Sequence, residues 1–194
     1  MRYVFLLAAL VNFLAAPSAA QDVDAVAPGK LAAAEMISFD GHKLALAWEA
    51  NNNGERTREY LPEGQKLDSW TILASIREYP NLNDHHAVVG NLVRQLKKQN
   101  PPAPVGLIEN PTTGDVIVDF VVWPEDGAFV EFNIFKYGKN EAGGIVAQQY
   151  ALRAYGDKAE DFLRGLKPLR ERLISEMAAG GLKSAQATLV DRDR

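Results

Sequence analysis

One segment of the chain, residues 115–123, is apolar on both of its faces, and it constrains the fold more than any other feature. Val, Ile, Phe and Trp fill almost every position, and Asp119 is the only charged residue after Asp115. A strand that is apolar on both faces must be covered on both faces. We therefore expect Asp115–Trp123 to be a central strand, with one helix packed against each side of it.

The next strand is predicted to form an antiparallel hairpin with this central strand. Phe129–Tyr137 follows Glu125-Asp126-Gly127, and a three-residue loop with Gly in the left-handed conformation is a favoured hairpin connection. The resulting register pairs Phe120 with Phe132, Val122 with Val130 and Val118 with Ile134. A loop of two or four residues would instead place Glu131 and Asn133 opposite apolar residues, so we predict the three-residue loop. Ile145–Tyr155 continues the meander as a third strand.

The first half of the chain adds further strands. Alternating or β-prone residues predict strands at His42–Ala50, Glu55–Leu61 and Thr71–Tyr79. Between the first two lies Asn51-Asn52-Asn53-Gly54, which favours a tight turn because Asn and Gly tolerate positive φ.

Two helices complete the set of predicted elements. The first begins after a cap at Asn83 or Asp84, continues to about Lys98 and is ended by the prolines of residues 101–104. The second begins at Asp157, contains Pro168, which we expect to kink it, and stops at Gly180-Gly181.

These elements predict the α+β class, with an antiparallel sheet of about six to seven strands and two main helices packed on it in layers. The order of elements is similar to that of the layered domain of PsbP-like photosystem proteins, which implies a fold only. We expect a single domain at residues 35–180, a linker at 21–34 and a disordered tail at 181–194.

The first twenty residues have the pattern of a secretory signal peptide. Arg2 precedes an apolar run from Val4 to Ala16, and Ser18 and Ala20 are the small residues that signal peptidase requires. The run is too short for a membrane-spanning helix, which takes roughly 20 residues. We therefore expect cleavage near Ala20, no membrane anchor after it, and a soluble chain in the periplasm or outside the cell.

Composition narrows the function classes. The chain has no cysteine, so disulfides, a cysteine nucleophile and a lipoprotein anchor are excluded. The formal net charge of −4 argues against a nucleic-acid or anionic-membrane partner, which would favour a basic surface. We expect no cofactor, since ATP- or nicotinamide-dependent chemistry is uncommon outside the cytoplasm.

Familiar catalytic and metal motifs are not found in the sequence. His85 and His86 are adjacent on a helix and diverge, so with His42 they are interpreted as solvated surface residues rather than as a zinc site. There is no Gly-x-Ser-x-Gly elbow and no phosphate-binding Gly loop. We therefore predict no catalytic residues and no metal ligands.

A row of hydrogen-bonding side chains emerges from the predicted register, on the face opposite Phe120 and Phe132. Asp119 then pairs with Asn133, and Asn133 with Gln149 on the third strand. The candidate ligand-binding residues are Asp119, Glu131, Asn133, Gln149 and Arg153, with Trp123 and Tyr137 as apolar walls. A polar row bordered by aromatic residues has the composition of a ligand or peptide groove. The same pattern also fits an open polar face or a hydrogen-bonded network beneath a helix.

Three functions are consistent with these patterns. The leading hypothesis is a non-enzymatic exported domain that binds an unknown protein or small ligand through this row. The second is a periplasmic hydrolase with Asp119 and Glu131 as acid and base. The third is a structural module of envelope assembly, which would show a large exposed apolar patch and no pocket.

The box Glu59-Tyr60-Leu61-Pro62-Glu63-Gly64-Gln65, followed by Ser69-Trp70-Thr71, resembles a segment of uncharacterised exported bacterial proteins. In those proteins a Tyr-x-Pro-x-Gly stretch precedes a Trp-Thr pair by a few residues. The resemblance implies a bacterial periplasmic or secreted domain and carries no activity or site residue with it.

Overall fold

The computed structural model describes residues 35–185. The predicted signal peptide and linker (residues 1–34) and the end of the predicted tail (residues 186–194) lie outside the described residues. The described chain contains one sheet and two helices, so the predicted α+β class is confirmed. Neither helix within residues 35–185 has the length and apolar composition of a membrane-spanning segment.

Nine antiparallel strands form the sheet within residues 35–185, more than the six or seven predicted. In chain order the strands are β1 (Met36–Phe39), β2 (His42–Asn52), β3 (Glu55–Leu61), β4 (Ile72–Tyr79), β5 (Val105–Glu109), β6 (Val116–Val122), β7 (Phe129–Lys139), β8 (Ile145–Tyr155) and β9 (Lys183–Ala185). The helices are α1 (His85–Gln99) and α2 (Lys158–Ala179). Across the sheet the order is β5-β6-β7-β8-β4-β3-β2-β1-β9. The three strands that were not predicted, β1, β5 and β9, are short, and β9 lies where a disordered tail was expected.

Strand β6 is buried along its whole length, and a helix covers each of its faces as predicted. Val118 and Phe120 pack in the cluster under α1, whereas Ile117 and Val121 pack in the cluster under α2. We call these two sides of the sheet the α1 face and the α2 face. The predicted central position is wrong, because β6 is second from the edge and β5 lies outside it.

Local sequence signals set two of the element boundaries as expected. The Asp84 carboxylate accepts a hydrogen bond from the Ala87 backbone N–H at 2.9 Å and caps α1. Asn53 and Gly54 adopt positive φ in the β2–β3 turn. Asp157 precedes α2 but makes no side-chain capping bond within the described chain.

The predicted β6–β7 register is wrong by one residue. Phe120 lies opposite Asn133, Val121 opposite Phe132 and Val122 opposite Glu131. A shift of one residue moves every side chain of a strand to the other face. Because β6 is buried on both faces, its apolar residues fit either register and cannot select one. The unfavourable pairing that argued against this register is relieved because Asn133 and Glu131 have polar partners of their own.

The β7–β8 register differs from the predicted one by two residues, which preserves the faces. Asn133 lies opposite Ala151, and Gln149 lies opposite Phe135. Glu131 is directly opposite Arg153, rather than diagonal to it.

Candidate functional site

Four of the predicted site residues lie together on the α1 face: Glu131, Asn133, Gln149 and Arg153. Gln149 donates from Nε2 to Asn133 Oδ1 at 2.7 Å, and Asn133 donates from Nδ2 to Glu131 Oε1 at 2.8 Å. Arg77 of β4 extends the chain of bonds by donating from Nη2 to Gln149 Oε1 at 3.2 Å. We call these five residues the polar network. They satisfy one another, and Glu131 and Asn133 are only 2% and 1% exposed, so the network fits the alternative of a buried structural arrangement.

Arg153 closes one end of the polar network. Its Nε and Nη2 donate to Glu131 Oε2 at 2.9 and 2.6 Å. Its guanidinium lies between two rings, 3.9 Å from the centroid of Trp70 and 4.2 Å from that of Phe129. A guanidinium held by a carboxylate and two aromatic rings is a strong structural contact. Burial, the larger effect, raises the pKa of Glu131, whereas Arg153 and Asn133 oppose that rise.

The box Glu59–Gln65 of the resemblance begins in β3 and continues into the loop that carries Trp70. Gly64 adopts a positive φ of 81° in the turn after Pro62. The Gln65 side chain accepts hydrogen bonds from the backbone N–H groups of Thr71 and Ile72 at 2.7 and 3.2 Å. These bonds fold residues 62–71 back onto the start of β4 and place Trp70 against Arg153. The box therefore has a structural role in this chain.

Asp119 lies on the α2 face, away from the polar network, so its predicted pairing with Asn133 is wrong. Arg170 of α2 donates to both of its oxygens, from Nε at 2.5 Å and from Nη2 at 2.8 Å. The carboxylate that interrupts the apolar strand therefore anchors a helix. Gly106 of β5 makes room for this pair, because a Cβ at residue 106 would collide with the Asp119 carboxylate and the Arg170 guanidinium.

The predicted acid–base pair of a hydrolase is not assembled. Asp119 and Glu131 lie on opposite faces of the sheet, and each is bound by an arginine. A glycosidase-type mechanism needs both carboxyl groups to face one bond. The hydrolase hypothesis is therefore wrong for these two residues.

The two predicted aromatic walls occupy different environments. Tyr137 is fully buried under α1, its hydroxyl has no hydrogen-bond partner within the described residues, and burial raises its pKa. Trp123 is partly exposed after the end of β6, where its carbonyl accepts a bond from Asn100 Nδ2 at 2.9 Å. The two residues do not form the walls of one site.

The histidines are not all solvated, contrary to the sequence interpretation. His85 is buried, and its Nε2 lies 2.7 Å from the Gly114 carbonyl oxygen. His86 is exposed, with Nε2 3.2 Å from Glu109 Oε1. Residues 35–185 contain no cluster of His, Asp and Glu that could hold a metal ion.

Glu59, beside the polar network, gives the fold a testable pH dependence. Burial raises the pKa of Glu59, and Arg77 only partly offsets this. The folded state then binds the proton more tightly than the unfolded chain does. The contribution of Glu59 to the free energy of unfolding therefore falls as pH rises through the window above the ordinary glutamate pKa of 4.5.

We expect Glu59→Gln to flatten the pH dependence of stability across this window. The measurement is urea unfolding of both proteins between about pH 4.5 and 7. Glu63→Gln, at an exposed position in the adjoining loop, is the control and should keep the wild-type slope. An unchanged slope in Glu59→Gln would contradict the expectation.

An apolar groove lies between α1 and the edge strand β5, at a place where no site was predicted. Its cavity volume is about 450 Å³, within the range of ligand pockets. Its lining consists of His86, Val89, Gly90, Val93, Leu107, Ile108, Glu109 and Val116. We call it the α1–β5 groove. Gly90 has room for a side chain at the groove, because a Cβ there would meet only the end of Arg94, at ordinary contact distance.

Apolar side chains stand exposed on β5, one on each face of the strand. Leu107, 56% exposed, lies on the α1 face beside the groove, whereas Ile108, 43% exposed, lies opposite Ile117 on the α2 face. The single charged residue of β5 is Glu109, whose carboxylate lies beside His86. Adjacent apolar residues at a sheet edge are typical of an interaction surface.

The backbone of β5 is also available on its outer side. β5 pairs with β6 alone within the described residues. The flanking bonds, from Val121 N to the Pro104 carbonyl and from Asn110 N to the Asp115 carbonyl, show which residues of β5 face β6. Hydrogen-bonded pairs alternate along an antiparallel ladder. Gly106 and Ile108 therefore bond to β6, whereas Val105, Leu107 and Glu109 direct their N–H and C=O groups outward.

Sequence reasoning missed this groove because it did not assign β5. The six residues between Pro104 and Pro111 are too few for a clear alternation. The available signal was the Leu107-Ile108 pair in an otherwise polar and proline-rich stretch.

Comparison with known proteins gives a family and no activity. No curated protein matches the sequence. The sequence model of an uncharacterised protein family matches residues 31–181, which is well over half of the chain. The chain therefore belongs to this uncharacterised family.

Proposed function

We propose that this chain is an exported, non-enzymatic binding domain that takes up an extended polypeptide in the α1–β5 groove. The observation that carries the proposal is the combination of an apolar groove and an outward-facing backbone edge on one strand. A guest strand added to β5 would gain main-chain hydrogen bonds from the edge and side-chain contacts from the groove. Export rests on the signal-peptide pattern of residues 1–20.

The polar network is a weaker candidate for the binding surface. Its donors and acceptors are used internally, and two of its members have almost no exposed surface. A ligand there would have to break bonds that hold the sheet together. The α1–β5 groove is open and requires no such rearrangement.

Filling the groove should abolish binding without disturbing the fold. We expect Gly90→Leu to weaken binding by about tenfold or more, because the new side chain occupies the groove and a helix favours Leu over Gly. The probe is a peptide of alternating Thr and Val with blocked ends. Its binding is measured from changes in the amide chemical shifts of the isotope-labelled mature chain. Shift changes in the wild type should centre on Leu107 and Val93.

Gly165→Leu is the matched control. It makes the same change inside α2, where a Cβ meets no neighbour, and peptide binding should be unchanged. Equal binding by Gly90→Leu and wild type would overturn the proposed site. Shift changes confined to the polar network would place binding where the sequence first suggested.

A further inference from the structure

The outer edge of β5 has no strand paired with it within the described residues. Natural edge strands are commonly protected by charges, prolines or bulges that discourage pairing. In β5 the outward N–H and C=O groups belong to Val105, Leu107 and Glu109. Glu109 is the only one of the three with a charged side chain, and its carboxylate lies beside His86. Leu107 is at the centre of the strand, so these outward groups are arranged symmetrically about it.

A twofold axis at Leu107 would give each outward N–H and C=O group of β5 a hydrogen-bond partner on the second copy. In that antiparallel register Leu107 pairs with Leu107 of the second copy, and Val105 pairs with Glu109 of the second copy. Both are hydrogen-bonded pairs, in which each residue gives one N–H and accepts one. A register displaced by one residue would present inward-facing groups and lose these bonds.

The side chains are compatible with the same register. Leu107 meets an identical apolar residue. Ile108 lies opposite Gly106, where the Asp119 carboxylate and the Arg170 guanidinium fill the space of a side chain, so Ile108 of the second copy would pack against this ion pair. No charged residue of β5 faces a like charge, because Glu109 lies opposite Val105. Cross-strand pairs of this kind stabilise a sheet, whereas like charges directly opposite each other destabilise it.

The two grooves would merge in such a pair. An axis through paired antiparallel strands stands perpendicular to the sheet, so both α1 helices lie on the same side of it. Leu107 and Val105 share that α1 face, since they lie opposite Val118 and Phe120 of β6. The two α1–β5 grooves then form one apolar trough, with the Leu107 pair at its floor.

We propose that a second copy of this chain docks antiparallel on β5 about Leu107 and continues the sheet from one subunit into the next. This inference rests on the proposed function, because it names the polypeptide that the groove and edge receive. Isologous twofold contacts are the commonest way in which soluble proteins self-associate. The partner is recognised by its own β5 sequence, Val-Gly-Leu-Ile-Glu.

Sedimentation of the mature chain over a range of concentrations tests the proposal. We expect a reversible monomer–dimer equilibrium in the wild type. Leu107→Asp should weaken it by about a hundredfold or more, because the twofold axis places two carboxylates opposite each other. Leu163→Asp, at an exposed position on α2, is the control and should dimerise like the wild type. A wild-type chain that stays monomeric, or a Leu107→Asp chain that still dimerises, would overturn the proposal.

Crosslinking locates the interface independently of stability. The chain has no cysteine, so Leu107→Cys and Leu163→Cys each carry a single reactive thiol. A short bismaleimide should link two copies through residue 107 and not through residue 163, and a dimer that links at neither would contradict this interface. If the Thr-Val peptide binds a chain that remains monomeric, the dimer fails and the proposed function stands. If neither peptide binding nor dimerisation is seen, both fail.

Discussion

Replacing Arg153 with alanine should lower the free energy of unfolding by about 3–5 kcal/mol, as expected when one partner of a buried ion pair is removed. The substitution leaves the Glu131 carboxylate buried, with Asn133 as its remaining polar contact. It also removes the guanidinium from between the rings of Trp70 and Phe129. The measurement is urea unfolding followed by circular dichroism at neutral pH.

Two comparisons show whether breaking the buried Arg153–Glu131 pair causes this loss of stability. Arg164→Ala removes an exposed arginine that contacts Glu160 and Asp161 on α2, and it should cost no more than about 0.5 kcal/mol. Replacing both partners, Glu131→Leu with Arg153→Met, should restore part of the loss because no unpaired charge remains. A loss in Arg153→Ala as small as that in Arg164→Ala would show that the network does not hold the sheet as described.

Replacing Trp70 with alanine should cost about 3–5 kcal/mol, the usual effect of deleting a buried indole. Trp70 is buried against Leu61, Leu73 and Ala151 as well as against Arg153. Its loss removes the apolar contact that fixes the loop of residues 62–71 to the sheet. Urea unfolding measures the loss.

Trp48→Ala provides the matched control, because Trp48 is an exposed indole on β2. We expect a change of no more than about 1 kcal/mol there, as for most surface substitutions. A double-mutant cycle of Trp70→Ala and Arg153→Ala should also give a coupling energy of about 1–2 kcal/mol, since the two side chains stack. Equal losses for the two tryptophans, or no coupling, would contradict the structural role given to the box.

Local signals in the sequence predicted much of the fold. Asp84 sets the start of α1, and Asn53-Gly54 sets the β2–β3 turn. Both outcomes depend on residues within a few positions of one another, where backbone preference and short hydrogen bonds decide the conformation.

The β6–β7 register could not be predicted in the same way. It depends on which face each apolar residue of β6 prefers, and both faces are buried. The deciding contacts come from distant parts of the chain. Asp119 turns toward the α2 face because Arg170, 51 positions later, reaches it there. The sequence predicted that Asp119 pairs with Asn133, because its actual partner, Arg170, cannot be identified from spacing.

The predicted site differs from the observed one for the same reason, because contacts between distant parts of the chain decide it. The grouping of Glu131, Asn133 and Gln149 on one face survived a register error of two residues, because such an error preserves faces. Their burial could not be read from the strands alone, since it depends on packing between neighbouring elements. The α1–β5 groove was missed because it requires a short strand to be placed beside a helix.

Amide hydrogen exchange along β5 shows whether this strand is the docking edge, because the strand contains its own control. In the free monomer Gly106 and Ile108 should be protected by their bonds to β6, whereas Val105, Leu107 and Glu109 should exchange quickly. When the Thr-Val peptide or a second copy is bound, we predict that the amides of Val105, Leu107 and Glu109 become protected. Fast exchange of these three amides in the bound state would contradict the proposal that β5 is the docking edge.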